Sequence, residues 1–200
     1  MPVVGITGGI ATGKSSFIRA LLRDAPAALF DADRCVHDLL ASDDALLAQL
    51  RAAFGPAIFA ADGSLNRSAL REAVFHDDRA RRDLESLVHP LVRARWTEQA
   101  EAARRARSWL FVDIPLLYET RAESEFDRVI VVACRPETQR RRMSEERGLA
   151  SALIERMIGA QLDLAAKTAR ADHVVWNDST FAALDEQARL LAAWLRQCYG

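Results

Sequence analysis

The chain has 200 residues, half of them hydrophobic, and a formal net charge of −1 at pH 7. That length predicts one domain, or one core with an inserted subdomain. The near balance of charge gives no electrostatic reason to expect nucleic acid or an anionic membrane surface as a partner. No apolar stretch approaches the roughly 20 residues that span a bilayer, and no signal-peptide pattern precedes the first strand. We therefore expect a soluble, cytoplasmic protein.

The cysteines and histidines do not predict a metal site or a disulfide. Cys35, Cys134 and Cys198 lie far apart in the chain, and the four histidines lack the spacing of zinc ligands. We expect the cysteines to be reduced, buried thiols.

A glycine-rich motif follows the first predicted strand, residues 3–7. Residues 8–15 read Gly-Gly-Ile-Ala-Thr-Gly-Lys-Ser, which matches the phosphate-binding pattern G, four residues, G-K-[ST]. In such a loop the backbone N–H groups surround a polyphosphate, Lys14 reaches the terminal phosphates, and the Ser15 hydroxyl ligates Mg²⁺. Only two of the 27 basic residues are lysines, which favours a specific need for the compact ammonium of Lys14. The alternative is a glycine-rich turn with no ligand.

The second predicted strand, residues 27–30, ends in two acids, Asp31 and Asp33. Ligands of open α/β sheets gather at the carboxyl ends of strands, so these acids are placed for chemistry. The alternative is a solvated turn whose acids cap a helix.

Residues 34–107 have apolar positions spaced three and four apart, which predicts helices throughout. Pro90 is expected to break or kink the helix that carries Leu84 to Val92. A helical excursion of this length between two strands predicts a separate lobe, which suits a second substrate.

Three more strands are predicted, at residues 109–113, 128–134 and 173–177. The first ends in Asp113, which has the form of a Walker B acid standing close to Mg²⁺. After the last strand, Asp178 or Ser179 is expected to cap a final amphipathic helix containing Leu184 and Leu195.

An arginine-rich segment, residues 139–147, follows the fourth strand. Its interleaved glutamates are typical of a solvated, salt-bridged helix surface. Its arginines equally suit a mobile lid that closes over phosphates, because guanidinium groups neutralise a transferring phosphoryl group. The pattern alone leaves both interpretations open.

Taken together, these segments resemble the dephospho-CoA kinase family nearly from end to end. The resemblance rests on motifs around the Walker loop: Gly5-Ile6-Thr7-Gly8-Gly9-Ile10, Asp31-Ala32-Asp33, Leu65-Asn66-Arg67-Ser68-Ala69-Leu70, His89-Pro90, Asp113-Ile114-Pro115-Leu116-Leu117-Tyr118-Glu119, Gln139 with Arg142, Ala160-Gln161, Lys167, and Ala171-Asp172 with Asn177.

The resemblance implies an α/β fold of the P-loop NTPase type, a three-layer αβα sandwich around a five-stranded parallel sheet. It implies a core at residues 1–33, 108–136 and 161–200, an inserted helical substrate-binding domain at 34–107, and a helical lid at 137–160. The implied reaction is ATP-dependent, Mg²⁺-assisted phosphorylation of the ribose 3′-hydroxyl of dephospho-CoA, the last step of coenzyme A synthesis. Neither nucleic acid nor membrane is implied as a partner, and the protein is expected to be a monomer or a weak homo-oligomer.

The resemblance also implies residue roles. Asp33 is the base that accepts the proton of the ribose hydroxyl, with Asp31 as a weaker candidate, and a carboxylate beside a phosphate loop can hold an alcohol in line with the γ-phosphorus. The remaining implied sites are as follows: catalytic Lys14 and Arg142, with Arg140 and Arg141 in reserve; nucleotide-binding Gly9, Ala11, Thr12, Gly13, Lys14, Ser15, Ser16 and Asn177; substrate-binding Asp33, Arg67, His89 and Leu116; and Mg²⁺-binding Ser15 and Asp113, the latter directly or through water. His89 has an alternative role, capping a helix junction.

The sequence departs from the family pattern twice. Ala11-Thr12 stands where the family commonly has Gly-Ser, a change expected to leave phosphate binding intact. Glu146 stands where an arginine is often found, with Arg147 displaced by one residue. Two other functions share these features: a P-loop kinase for nucleosides or nucleoside monophosphates, and a nucleotide-dependent switch without transfer chemistry.

Overall fold

The computed structural model describes residues 1–75 and 77–199. The chain divides into two compact units, Met1–Phe30 with Ala100–Gly200, and Asp31–Gln99. The predicted helical lobe, 34–107, thus begins slightly later and ends slightly later than the second unit. The elements in chain order are β1 (Val3–Gly8), α1 (Lys14–Asp24), β2 (Ala28–Asp31), α2 (Ala32–Ser42), α3 (Asp44–Phe54), α4 (Arg67–Phe75), α5 (Asp78–Ala106), β3 (Leu110–Asp113), β4 (Arg128–Ala133), α6 (Pro136–Arg141), α7 (Ser151–Gly159), α8 (Leu164–Arg170), β5 (His173–Trp176) and α9 (Phe181–Tyr199).

The first unit is built on a parallel five-stranded sheet in the order β2-β3-β1-β4-β5, flanked by helices. This confirms the predicted fold class. The central strands β1, β3 and β4 are almost entirely buried, because a parallel sheet is covered by helices on both faces. Parallel strands end at the same edge, so the loop after β1 and the acid that closes β3 belong to one side of the sheet.

Helix α9 closes this unit with an apolar face that confirms the predicted pattern. Leu184, Ala188, Leu191 and Leu195 are all buried. The predicted cap is wrong by one or two residues: the Thr180 hydroxyl accepts a hydrogen bond from the Ala183 N–H at 3.2 Å. The Asp178 carboxylate accepts from the Arg135 N–H at 2.8 Å instead.

The second unit is helical, as the spacing predicts. Asp43 caps α3 by accepting from the Leu46 N–H at 2.9 Å. Helix α5 does not break at Pro90 but continues through it for 29 residues in all. Proline removes one donor and crowds the preceding turn, but packing along the rest of a long helix can maintain the element.

The segment predicted as a lid, 137–160, is helical. Helix α6 passes into one π-helical turn, Arg142–Glu146, before α7 begins. π-Turns are rare and occur frequently at functional sites. Within the described residues, no helix is long and apolar enough to cross a membrane.

The cysteines differ from the prediction that all are buried. Cys134 is buried, Cys35 is partly buried and Cys198 is exposed; all three are free thiols. Among residues 1–75 and 77–199, no cluster of three or more histidine, cysteine or acidic side chains could hold a metal ion; His76 lies outside this range.

Candidate active site

The glycine-rich loop between β1 and α1 adopts the compact conformation that its sequence predicts. Two residues are left-handed, Ala11 with φ 58° and Gly13 with φ 90°. The Thr12 hydroxyl closes the loop by donating to the Gly9 carbonyl at 2.9 Å. A Cβ at Gly8 would overlap the Val132 carbonyl oxygen of β4, so glycine is required where the loop leaves the sheet.

Ala11, part of one departure from the family pattern, lies in a backbone conformation that favours glycine. A left-handed backbone brings an L-residue's Cβ close to the following carbonyl and costs about 1–2 kcal/mol, whereas glycine adopts it freely. The family's common glycine matches this geometry. In this chain an alanine occupies that left-handed position.

Gly13 stands at the N-terminus of α1 against Asn177, the first residue after β5. The Asn177 side-chain amide donates to the Thr12 carbonyl at 2.8 Å, and a Cβ at Gly13 would overlap that amide nitrogen. Gly13 is therefore required both by its φ and by close packing. The predicted nucleotide-binding Asn177 contacts the loop from its carbonyl side.

Arg142 holds the same part of the loop. Its guanidinium donates to the carbonyls of Ala11 and Thr12 at 3.3 and 3.2 Å, and to the Asn177 carbonyl at 2.8 Å. A phosphate-binding loop turns its N–H groups toward the anion, so a donor bound to its carbonyls lies on the outer side. This arrangement differs from the predicted contact between Arg142 and a transferring phosphoryl group.

Arg140, the reserve candidate, is engaged elsewhere. Its guanidinium pairs with both carboxylate oxygens of Glu155 on α7, at 2.6 and 3.0 Å. Arg141 pairs with Glu145 at 3.3 Å, four residues along the chain. These two exposed pairs match the salt-bridged surface that the interleaved glutamates predict, whereas Arg142 alone of the three turns inward to the loop.

Two glutamines secure the tip of the loop at Ile10. The Ile10 N–H donates to Gln161 Oε1 at 2.9 Å, and the Ile10 carbonyl accepts from Gln139 Nε2 at 2.6 Å. Sequence reasoning assigned no role to either glutamine. The available signal was their presence among the motifs that carry the family resemblance.

Lys14 is the first residue of α1, and its ammonium pairs with the Asp113 carboxylate at the end of β3. Both side chains are largely buried. Ser15 follows and is exposed, and the Ser16 hydroxyl accepts from Arg19 at 3.2 Å. The first N–H groups of a helix have no intrahelical acceptor and carry its positive dipole end. The N-terminus of α1 therefore brings together backbone N–H donors, the Lys14 ammonium, the Ser15 hydroxyl and the Asp113 carboxylate.

The two acids at the junction of β2 and α2 have different environments. Asp31 caps α2, and its carboxylate accepts from the Arg34 N–H at 3.0 Å. Asp33 lies in the first turn of that helix with an exposed side chain. The capping alternative thus holds for Asp31, and the role of Asp33 in proton transfer stays a prediction.

The predicted substrate residues lie on separate elements. Arg67 begins α4 and donates to the His37 carbonyl at 2.9 Å. His89 lies partly buried inside α5, so its proposed alternative as a cap of a helix junction is wrong. Leu116, in the turn after β3, is partly buried, and its carbonyl accepts from the Thr120 hydroxyl at 2.8 Å.

Burial also raises the pKa of one thiol, that of Cys134 near Arg142. Cys134 directly follows β4, and desolvation raises its pKa to about 11, with the nearby Arg142 charge opposing the shift. At neutral pH the thiol is thus protonated and packs as a small apolar group.

The comparisons with known proteins agree with this geometry. The family model described as dephospho-CoA kinase matches residues 2–183. The chain belongs to the dephospho-CoA kinase family. The dephospho-CoA kinase of Symbiobacterium thermophilum is 40% identical over 202 residues, covering 100% of this chain and 83% of that protein. The one from Anaeromyxobacter dehalogenans is 42% identical over 197 residues, covering 98% and 93%.

Solved structures give the same assignment. A dephospho-CoA kinase from Campylobacter jejuni superposes with a TM-score of 0.76 at 25% identity, covering 98% of each chain. A shikimate kinase from Acinetobacter baumannii, 14% identical with a TM-score of 0.53, shares the fold. Dephospho-CoA kinases use ATP to phosphorylate dephospho-CoA in the last step of coenzyme A biosynthesis, and this chain is such a kinase.

Proposed function

We propose that Asp33 is the catalytic base of the transfer and that the acceptor atom is the ribose 3′-hydroxyl of dephospho-CoA. The observation that carries this is the position of Asp33: β2 ends at the edge of the parallel sheet where α/β folds bind their ligands, and Asp33 is exposed in the first turn of the helix that follows. Asp33 takes the hydroxyl proton as the ribose oxygen bonds to the γ-phosphorus. The bond from that phosphorus to the bridging oxygen breaks, and ADP leaves.

The nucleotide phosphates would bind at the N-terminus of α1. The N–H groups of Gly13, Lys14 and Ser15 would surround the β- and γ-phosphates, and the helix dipole adds attraction. Lys14 would exchange its partner, leaving Asp113 for the phosphate oxygens.

Mg²⁺ is part of this proposal because the donor set suits it. Ser15 and Asp113 offer a hydroxyl and a carboxylate oxygen, the hard ligands this ion prefers, and it commonly retains waters and binds substrate phosphates. When bound, it neutralises charge that develops on the phosphates. Asp113 would hold it directly or through a water once Lys14 has moved to the phosphates.

Arg142 has a bracing role in this proposal. Its three carbonyl contacts and the Asn177 amide fix residues 11–13 from behind, so that the N–H groups on the opposite side keep their direction. Preorganised donors of this kind need no rearrangement when the transition state forms. Contact between Arg142 and the phosphoryl group would require these bonds to break.

The helical second unit, with Arg67, His89 and the segment from Leu65 to Leu70, is the proposed acceptor domain, and residues 137–160 are the proposed lid. A lid is useful because a phosphoryl donor open to solvent would be hydrolysed. A cytoplasmic location and a monomeric or weakly associating state remain predictions from the sequence.

Two asparagine variants test the assignment of the base. Asp33→Asn is expected to lower turnover by about 10²-fold or more with little change in ATP affinity, because a general base is lost. Asp31→Asn is the matched control, since asparagine caps a helix about as well as aspartate. Steady-state turnover and ATP binding are measured for both. Near-normal turnover of Asp33→Asn, or an equal loss in Asp31→Asn, would remove Asp33 from this role.

A further inference from the structure

Lys167 is the most deeply buried cationic side chain described in the structure, with no exposed side-chain surface. Its ammonium pairs with Glu119 at 2.8 Å and donates to the carbonyls of Pro115 and Gly8 at 3.1 and 3.4 Å. A lysine ammonium has three donors, and all three have acceptors here. Burial of an unpaired charge is very costly, so this exact set of partners is what permits the lysine to be buried.

The three acceptors belong to two segments that meet at the proposed phosphate site. Gly8 ends β1 and begins the phosphate-binding loop, while Pro115 and Glu119 belong to the turn after Asp113. The Thr7 hydroxyl reinforces this junction by donating to the same Pro115 carbonyl at 3.1 Å. The Lys167 ammonium is therefore a common point of attachment for the loop that carries Lys14 and the turn that follows Asp113.

Glu119 extends the junction to a third segment. Its Oε1 also accepts from the Leu162 N–H at 2.8 Å, one residue after Gln161, whose amide holds the Ile10 N–H at 2.9 Å. The stretch from Gln161 to Lys167 therefore contacts the loop at two points. Gln161 holds its tip at Ile10, and Lys167 holds its start at Gly8.

The residue type supports a specific purpose. Only two of 27 basic residues are lysines, Lys14 and this one. A planar guanidinium suits bidentate partners, whereas three acceptors converging on one buried point suit a compact ammonium.

We propose that Lys167 is a positioning residue for phosphoryl transfer, which sets the phosphate-binding loop and the Asp113 turn at a fixed separation so that Lys14 and Asp113 meet the same Mg²⁺·nucleotide. It touches neither substrate and acts through Gly8 and Pro115. This inference rests on the proposed use of Lys14 and Asp113 at the phosphates. It adds a requirement that no local motif contains, because Lys167 lies 159 positions from Gly8.

The test compares three variants with the wild type. Lys167→Met removes the charge and the donors. Glu119→Gln keeps an acceptor for Leu162 but removes the countercharge. Leu195→Ala creates a cavity in the core that α9 shares with α1 and removes no polar contact of the loop. Thermal unfolding reports the stability loss of each. Calorimetric titration with Mg²⁺·ADP reports nucleotide binding, and steady-state kinetics gives kcat and the KM values for Mg²⁺·ATP and dephospho-CoA separately.

For Lys167→Met we expect kcat/KM for Mg²⁺·ATP to fall about tenfold to 10²-fold, the scale of a displacement near 1 Å at a reacting centre. The KM for dephospho-CoA should change by less than about threefold, because the variant acts on the phosphate side. Glu119→Gln should show the same selective change to a smaller degree, and it decides the matter if Lys167→Met does not fold. Leu195→Ala should lower the unfolding temperature and leave all kinetic constants within about twofold.

Two results would overturn the proposal: Mg²⁺·ADP affinity and kcat/KM for Mg²⁺·ATP unchanged in both junction variants, or the same kinetic loss in Leu195→Ala at equal loss of stability. Failure of the proposed function would give a different result, in which the wild-type protein binds Mg²⁺·ADP but forms no coenzyme A. The comparison of Mg²⁺·ADP binding between the variants and the wild type would still test the role of Lys167.

Discussion

Replacement of Gly13 by alanine separates backbone strain from steric overlap within the phosphate-binding loop. Gly13 has φ 90°, and an added Cβ would overlap the Asn177 amide nitrogen. The left-handed conformation costs an L-residue about 1–2 kcal/mol. Displacing Asn177 takes its buried side-chain amide away from the Thr12 carbonyl, which costs a further 1–3 kcal/mol or so. A total near 3 kcal/mol corresponds to a lowering of about 6–12 °C in the unfolding temperature.

Two other glycines provide matched controls. Gly63 is left-handed, with φ 86°, but a Cβ there would have nothing within 4 Å. Gly63→Ala is therefore expected to show strain alone, about 1 kcal/mol after the reduced entropy of the unfolded chain is considered. Gly159, at the end of α7, has open space and no positive φ, so Gly159→Ala should be neutral or stabilising by up to about 1 kcal/mol.

Thermal unfolding and nucleotide titration measure the three variants together. Only Gly13→Ala is expected to weaken Mg²⁺·ATP binding, by about tenfold or more, because the overlap moves Asn177 and the loop it holds. If Gly13→Ala were no less stable than Gly63→Ala and bound nucleotide normally, the close packing of Asn177 against the loop would be refuted.

Three further predictions concern the strain at Ala11, the arginines after β4 and the free thiols. Ala11→Gly should stabilise the protein by about 0.5–1 kcal/mol in thermal unfolding, because a glycine relieves the left-handed strain at a smaller entropic cost; a loss of stability would contradict the strain. Arg142→Ala should weaken nucleotide binding about tenfold in calorimetry. Arg140→Ala should have an effect below about twofold, since an exposed ion pair contributes little. Equal effects of the two variants would contradict the proposed role of Arg142 in holding the loop. In native protein at pH 8, Cys198 is exposed and should react rapidly with a thiol reagent. Cys134 is buried with a pKa of about 11 and should react only as the pH rises or when the protein unfolds. Mass spectrometry of the labelled peptides distinguishes the two thiols.

The phosphate-binding loop was predictable because its chemistry is local. Eight consecutive residues contain the glycines, the lysine and the serine that the conformation requires, and the strand before them is a short apolar run. The buried face of α9 follows in the same way from apolar positions three and four residues apart. The order of the strands in the sheet was not predicted, because it depends on contacts between segments that are distant in the sequence. What the spacing specifies is geometry within one segment.

The contacts that hold the loop could not be predicted from such patterns. Arg142 and Asn177 meet the Thr12 carbonyl across 130 and 165 positions, and both act on the outer side of the loop. The family resemblance implied a catalytic role for Arg142, whereas the residue pattern alone left a lid and a solvated surface equally open. A backbone carbonyl carries no sequence signal, so a guanidinium bound to carbonyls has the same local pattern as one bound to phosphate.

The phosphoryl transfer to dephospho-CoA is tested most directly by identifying the acceptor and the product. Release of ADP from Mg²⁺·ATP is measured with dephospho-CoA, with AMP, with adenosine and without an acceptor, and the product is identified by mass. We predict ADP release only with dephospho-CoA and one coenzyme A formed for each ADP. Release with AMP or adenosine would indicate a different small-molecule kinase, and release without any acceptor would indicate a hydrolytic switch; either result would contradict the account.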